Sequence, residues 1–388
     1  MNPRELQTAM TAWRREIHAR PETAFAEHRT AAFVVDRLEG FARESGTPIE
    51  ITSGIAGTGV VATIRGDVAQ DHPRAIALRA DLDALPMDEA NDFAHRSQHD
   101  GCMHACGHDG HTAMLLGAAR SLAGRANFPG VVHLIFQPAE ENEGGGRAMI
   151  EDGLFERFDV EAVFGLHNWP GLEVGKIAVQ SGPVMAAFDN FDVTLIGKGG
   201  HAAMPHQSVD PVVLAAQAIQ AFQILVSRSD PLDPAVISVT QLSAGDAYNI
   251  IPDRVQLKGT VRAFHSATRD RIEAAMRRTL EGLCAAAGAS FEFDYGRRYP
   301  PTINSERESA FVADAVRDIF GSDALVTNYP PSMGSEDFSF MLEQRPGCYV
   351  KLGAGDGPGL HNPRYDFNDE ILGAGAAFWV GLVERYFA

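Results

Sequence analysis

The residues with the most chemical potential in this sequence fall into a few short segments. Met103-His104-Ala105-Cys106-Gly107-His108-Asp109 sets a thiol and an imidazole two positions apart around a glycine, a spacing that lets both face one metal pocket. Asp81 and Asp83 lie upstream, and Glu140 and Glu141 close the segment Gln137-Pro138-Ala139-Glu140-Glu141. His167 and His361 occupy nearly identical contexts, Gly-Leu-His-Asn-Trp-Pro and Gly-Leu-His-Asn-Pro-Arg. A lone buried cysteine is ordinarily inert core, and a lone histidine is ordinarily a satisfied structural group. Here Cys106 stands among His104, His108, His111 and Asp109, and unpaired polar groups are costly to bury. Cys106 and His108 are therefore read as ligands, with His104 and His111 in structural or supporting positions. Adjacent glutamates at a strand end cannot point the same way, which suits one carboxylate to metal and the other to protons. The plain alternative for Glu140 and Glu141 is a solvated acidic turn. No Gly-Lys-Ser/Thr follows Gly144, Gly145 and Gly146, so this loop is not a phosphate cradle.

The elements that must position these groups can be read from apolar spacing. Gly59–Ile64, Ala75–Ala80, Val131–Phe136 and Ala162–Leu166 are short apolar runs of the kind found in buried parallel strands, with a helix over Thr112–Leu122 between two of them. The candidate residues sit where these strands end, the place where open α/β sheets build their crevice. Thr11–Leu38 reads as helix, turn, helix. From about Phe188 the texture changes to alternating strands and long helices: strand 191–195, helix 211–227, strands 235–240 and 254–261, helix 267–287 and a strand at 291–293. That order is the split pattern of a ferredoxin-like unit. The expectation is an α/β catalytic domain over 1–183 and 298–388, interrupted by an α+β insertion over 184–297.

Composition narrows the function classes. The chain has 388 residues and a formal net charge of −18, a field that repels phosphate backbones and anionic lipid surfaces. Neither a nucleic-acid nor a membrane partner is expected, and an anionic substrate would need local positive charge. No window approaches the roughly 18 to 20 apolar residues of a membrane span, and no apolar stretch follows a basic start at Met1-Asn2-Pro3-Arg4. The four cysteines, Cys102, Cys106, Cys284 and Cys348, are too few for a disulfide framework, and a cytoplasmic setting is expected.

Seven motifs together carry a resemblance: Arg79-Ala-Asp-Leu-Asp-Ala-Leu-Pro86, Met103–Asp109, Gln137–Glu141, Gly200-His-Ala-Ala-Met-Pro205, Asn249-Ile-Ile-Pro252, Met333-Gly-Ser-Glu-Asp-Phe338 and Leu360-His-Asn-Pro363. Over nearly its whole length the chain resembles the aminoacylase/carboxypeptidase family of two-metal peptidases, in its amidohydrolase branch of hippurate and auxin-conjugate hydrolases. The resemblance implies a two-metal exopeptidase-like catalytic domain with a lid and dimerisation insertion, a homodimer or higher homo-oligomer, and hydrolysis of small N-acyl-L-amino acids. It implies two divalent ions (Mn, Zn, Co or Ni) with Cys106 bridging them, His108 and His167 completing one site, and Glu141 and His361 the other. Glu140 falls at the general-base position. Asp81 stands where related branches place a metal histidine, and Asp83 is expected to orient a ligand from behind. His201 matches a histidine that reaches a partner subunit's active site to steady the oxyanion, and Asn249 and Arg262 fall where the substrate carboxylate is held. Arg262 would supply the local positive charge required above, its planar fork matching a carboxylate.

Each auxiliary position has a bland reading: His201 exposed on a glycine turn, Arg262 paired with a surface acid, and Glu336 and Asp337 capping the helix that begins near Phe338 rather than lining the pocket. Three other activities compete: a dipeptidase of the same family, a metal-binding protein without catalysis, and an amidase using Cys106 as a covalent nucleophile.

Overall fold

The run Gly130–Gln137 is buried at every position, as a strand covered on both faces must be, and it lies in the middle of the sheet that organises the larger part of the molecule. The computed structural model describes residues 2–68, 73–141 and 143–388. Contacts divide the chain into one unit of Met1–Gly182, Ile303–Pro330 and Asp337–Ala388, and a second of Pro183–Thr302 with Pro331–Glu336. The second unit thus recruits a short return segment, 331–336, that the sequence expectation left with the catalytic part.

In the first unit the strands follow the order Ile49–Ile55, Gly59–Arg65, Gly130–Gln137, Arg74–Asp81, Ala162–Pro170, Gly347–Gly355, Ile177–Ala178, Leu325–Val326. Arg74–Asp81 runs parallel to both Gly130–Gln137 and Ala162–Pro170, which in turn is parallel to Gly347–Gly355. The expectation of a parallel strand at Gly59–Ile64 is corrected: it pairs antiparallel with Gly130–Gln137 and with the edge strand Ile49–Ile55. Its apolar run reports burial, which both orientations satisfy. Helix His108–Ala123 is buried around nearly its whole circumference, because it packs on the sheet and against helices Pro3–His18, His28–Ser45 and Leu372–Tyr386.

The second unit has a four-stranded antiparallel sheet in the order Ala235–Ala244, Arg254–Ala263, Ala187–Ile196, Ser290–Tyr299. Helices Pro211–Ser227 and Ser266–Ala287 pack against it. Chain order and sheet order together are the ferredoxin-like arrangement. Asp210 caps the first helix through the Val212 amide, with Pro211 at the first helical position. Among the described residues no helix is long and apolar enough to cross a membrane.

Candidate metal centre

The fold brings the segments around Asp83, Cys106, Glu141, His167 and His361 together, and the thiol of Cys106 stands where they meet. Two donor groups share it: Cys106, His108 and His167, and Cys106, Glu141 and His361, with all ligand atoms in each group within 4.8 Å of one another. Cys106 Sγ lies 3.4 Å from His167 Nε2, and His361 Nε2 lies 3.1 Å from Glu141 Oε1, off the line of a hydrogen bond. Donors about 2.0 to 2.3 Å from one tetrahedral cation stand roughly 3.3 to 3.6 Å apart, so these spacings suit shared ions.

The backbone aims each donor. Gly107 takes φ +93° as the residue before helix His108–Ala123; a Cβ there would meet Asn168 Oδ1 at 2.2 Å, so only glycine fits. Ala139 and His361 are non-glycine residues at φ +54° and +62°, an uncommon conformation that persists where packing over-determines it. The Ala139 amide donates to Glu27 Oε1, and the His361 amide donates to the Ala105 carbonyl at 2.8 Å.

Hydrogen bonds select which ring nitrogen faces the cavity. His108 Nδ1 lies 2.9 Å from the Asp83 carbonyl and 3.2 Å from Asp83 Oδ1, leaving Nε2 buried with no hydrogen-bond partner. His167 Nδ1 is similarly tied to the Asn168 carbonyl at 2.6 Å. A buried imidazole nitrogen without a partner is costly in a finished core and natural in a ligand oriented from behind. Asp83 also accepts the Glu141 amide on Oδ2 at 2.9 Å, so one carboxylate supports a donor in each group.

His111 has no free nitrogen, since Nδ1 pairs with Asp81 Oδ1 at 2.6 Å and Nε2 with Asn168 Oδ1 at 2.7 Å. Asp81 Oδ2 is taken by Arg79 at 2.7 Å. His104 is buried with neither nitrogen hydrogen-bonded, and burial draws its pKa down to about 3, keeping it neutral. We have no physical account of its missing partners.

Electrostatically the cavity is built for cations. Burial disfavours charge on His108, yet Asp81, Asp83 and Glu141 outweigh it and carry its pKa up to about 10. Burial, then Glu141, Glu140 and Asp81, push the Cys106 thiol well above its ordinary range. A covalent cysteine nucleophile needs the opposite shift, and a cation is what would make this sulfur a thiolate donor. Glu140 is buried beside these groups, its Oε1 accepting the Asp337 amide at 3.3 Å.

Of the two readings open for Asp337, helix cap or pocket lining, capping fails. It stands at the N-cap of helix Phe338–Gln344 but makes no capping bond; its carboxylate accepts from Arg79 Nη2 at 2.9 Å, Gln137 Nε2 at 2.8 Å and the Gly146 amide at 2.8 Å. Arg79 thereby bridges Asp81 and Asp337 in a fully buried network that sequence reasoning did not assemble. Asn168 was also missed, although the His-Asn pair shared by both Gly-Leu-His-Asn contexts pointed to it.

Within the second unit, His201 pairs with Ile250 across a two-residue ladder, is exposed, and accepts the Ala203 amide on Nδ1. The Ala202 amide donates to the Asn249 carbonyl, which places Asn249 beside His201. Arg262 stacks on Phe188 with 4.2 Å to the ring centre and donates to Ser335 Oγ at 2.9 Å. The nearby acid Asp189 pairs with Arg269 instead, so Arg262 is not consumed by a surface carboxylate.

The family model for peptidase family M20/M25/M40 matches residues 77–385. A hippurate hydrolase of Campylobacter jejuni is 38% identical over 383 residues, covering 98% of this chain and 97% of that protein. An N-acyl-L-amino acid amidohydrolase of Geobacillus stearothermophilus is 45% identical over 304 residues, 77% of this chain and 79% of that protein. The crystal structure of Bacillus subtilis YxeP, described as a dinuclear metal binding peptidase from the M20 family, superposes with a TM-score of 0.85 at 34% identity and covers 99% of both chains. The expected fold class and family resemblance are thus borne out, and the chain belongs to peptidase family M20/M25/M40.

Proposed function

We propose that this protein is a metal-dependent amidohydrolase that cleaves N-acyl-L-amino acids, hippurate-like, N-acetyl or related conjugates, to a carboxylate and a free amino acid. The observation that carries the proposal is the sharing of Cys106 by two donor sets, Cys106/His108/His167 and Cys106/Glu141/His361, together with the buried, partnerless Nε2 of His108. Those five residues would hold two divalent ions, drawn from Mn, Zn, Co or Ni; thiolate, imidazole and carboxylate together accept several of them. Such ions acidify water and polarise the amide carbonyl.

The chain's own residues do the rest. Glu140 takes a proton from the attacking water as its oxygen bonds to the carbonyl carbon, and delivers that proton to the nitrogen as the C–N bond breaks. Asp83 keeps His108 and the Glu141 backbone in place. Arg262 and Asn249 hold the substrate carboxylate, and His201 steadies the oxyanion from a partner subunit in a homodimer, a donor of the kind commonly worth about 3 to 4 kcal/mol. A cytoplasmic setting fits the four cysteines, all free thiols.

The test is a panel of N-acetyl, N-benzoyl and indole-acetyl amino acids alongside free dipeptides, assayed after chelation and after return of each metal. Activity that a chelator removes and a divalent ion restores, with N-acyl substrates preferred, is expected. Strong preference for free α-amines would make the enzyme a dipeptidase. A Glu140→Gln variant should bind metal normally and lose about 100- to 10,000-fold in kcat; full turnover by that variant would remove Glu140 from the mechanism. Full activity from a strict monomer would remove His201 acting in trans.

A further inference from the structure

Buried cations in this protein come with carboxylates, with one exception among the described residues. Arg14 lies 2.9 Å from Asp369, Arg79 lies 2.7 Å from Asp81, and Arg269 lies 3.0 Å from Asp189. Lys351 is 5% exposed, and among the described residues no carboxylate pairs with it. Its Nζ sits 4.1 Å from the ring centre of Trp169 and 5.0 Å from that of Tyr329, and donates one long hydrogen bond, 3.4 Å, to the Pro330 carbonyl. Two N–H groups are left over.

Its position is informative. Lys351 is the register partner of His167 on the neighbouring parallel strand, so the two side chains share a face of the sheet. Trp169, two residues beyond His167 on that face, has its ring centre 6.0 Å from that of His167, which places the ammonium one strand over from a proposed metal ligand. Trp169 and Tyr329 are each partly exposed. A buried charge without a counter-ion is costly to keep. Aromatic faces offset only part of that cost, and burial draws the Lys351 pKa down to about 8, which leaves it charged at neutral pH.

We propose that Lys351, walled by Trp169 and Tyr329, is a specificity-determining residue that binds a second substrate carboxylate, distinct from the one next to the scissile amide. The inference rests on the amide-hydrolysis reading above. The second carboxylate can come from the acyl group or from the amino-acid side chain, and matched pairs separate the two sources. N-succinyl-L-alanine against N-butyryl-L-alanine tests the acyl end, and N-acetyl-L-glutamate against N-acetyl-L-glutamine tests the side chain.

In the wild type, kcat/KM should favour the charged member of at least one pair by about tenfold or more, the scale of a charge-assisted hydrogen bond. In Lys351→Met and Lys351→Gln that ratio should fall to near one. Ratios near one in the wild type, or ratios that survive both substitutions, overturn the proposal. A readout independent of turnover uses the metal-loaded protein: succinate should raise its Tm more than butyrate does, and the difference should vanish in both variants. If no N-acyl amino acid is hydrolysed, the amide-hydrolysis reading fails while the melting comparison still decides the subsite. Should succinate prove no better than butyrate, or both variants melt far below the parent with the succinate effect intact, Lys351 is a structural strut and the subsite is refuted.

Discussion

Gly107→Ala should damage the protein out of proportion to one methyl group. Two terms set the size. At φ +93° an alanine loses about 1 kcal/mol against glycine. The new Cβ would also stand 2.2 Å from Asn168 Oδ1 and 2.8 Å from the Tyr365 hydroxyl, far inside contact distance. Asn168 must then move, breaking its 2.7 Å bonds to His111 Nε2 and Tyr365 OH. Each leaves a buried polar group unsatisfied at about 1 to 3 kcal/mol, so the total is roughly 3 to 7 kcal/mol. Gly101→Ala is the control, because Gly101 has φ +73° with nothing within 4 Å of a Cβ; it should lose only the backbone term. All three tryptophans, Trp13, Trp169 and Trp379, lie in the unit that contains Gly107, so tryptophan fluorescence during urea unfolding reports that unit alone. The midpoint of Gly107→Ala should fall at least about 0.7 M below that of Gly101→Ala, given slopes of about 3 kcal/mol/M. Equal midpoints for the two variants would refute the reasoning.

Three further outcomes follow from the same geometry. Arg79→Met strands the buried carboxylates of Asp81 and Asp337 and should lower stability by about 3 to 5 kcal/mol in thermal or chemical melts; a loss under 1 kcal/mol would show that the network carries little. His133 is held neutral by burial, helped by Arg65, with its pKa drawn down to about 4. Its stabilisation is therefore complete above about 6.5 and is lost as pH falls from there toward 4, at most about 3 kcal/mol. His133→Gln, compared with the parent in chelated samples, should flatten that window, and parallel stability curves would dismiss the idea. Cys106→Asp replaces a soft donor with a hard one and should shift preference from Zn toward Mn in competition binding; an unchanged preference would mean the sulfur is no ligand.

Much of this was legible in the sequence, for identifiable reasons. Helix Pro211–Ser227 was readable to its ends because a capping Asp210 and Pro211 mark its start. Strands Arg74–Asp81, Gly130–Gln137 and Ala162–Pro170 declared themselves by uninterrupted apolar runs. Strand direction was not legible, which is why Gly59–Arg65 was misjudged, and the half-exposed edge strand Ile49–Ile55 carries only scattered isoleucines rather than an apolar run. At the site, the donor residues stood out because polar groups crowded one cysteine. His108 was already preferred to His111 from its spacing to Cys106, and the hydrogen bonds that occupy both nitrogens of His111 come only with folding. The partnership of Arg79 with Asp337 spans 258 residues, beyond any local pattern, so the sequence offered only a helix cap or a pocket-lining group at Asp337.

Asp83 has the widest reach of any single group described. Its Oδ1 faces the His108 ring and its Oδ2 receives the Glu141 amide, so the two donor sets are geared to one side chain. The Asp83 backbone carbonyl, 2.9 Å from the same His108 nitrogen, adds a second hold on that ring. If these residues hold the proposed ions, a substitution at Asp83 would be felt by a donor of each set, as a change at His167 or His361 would not be.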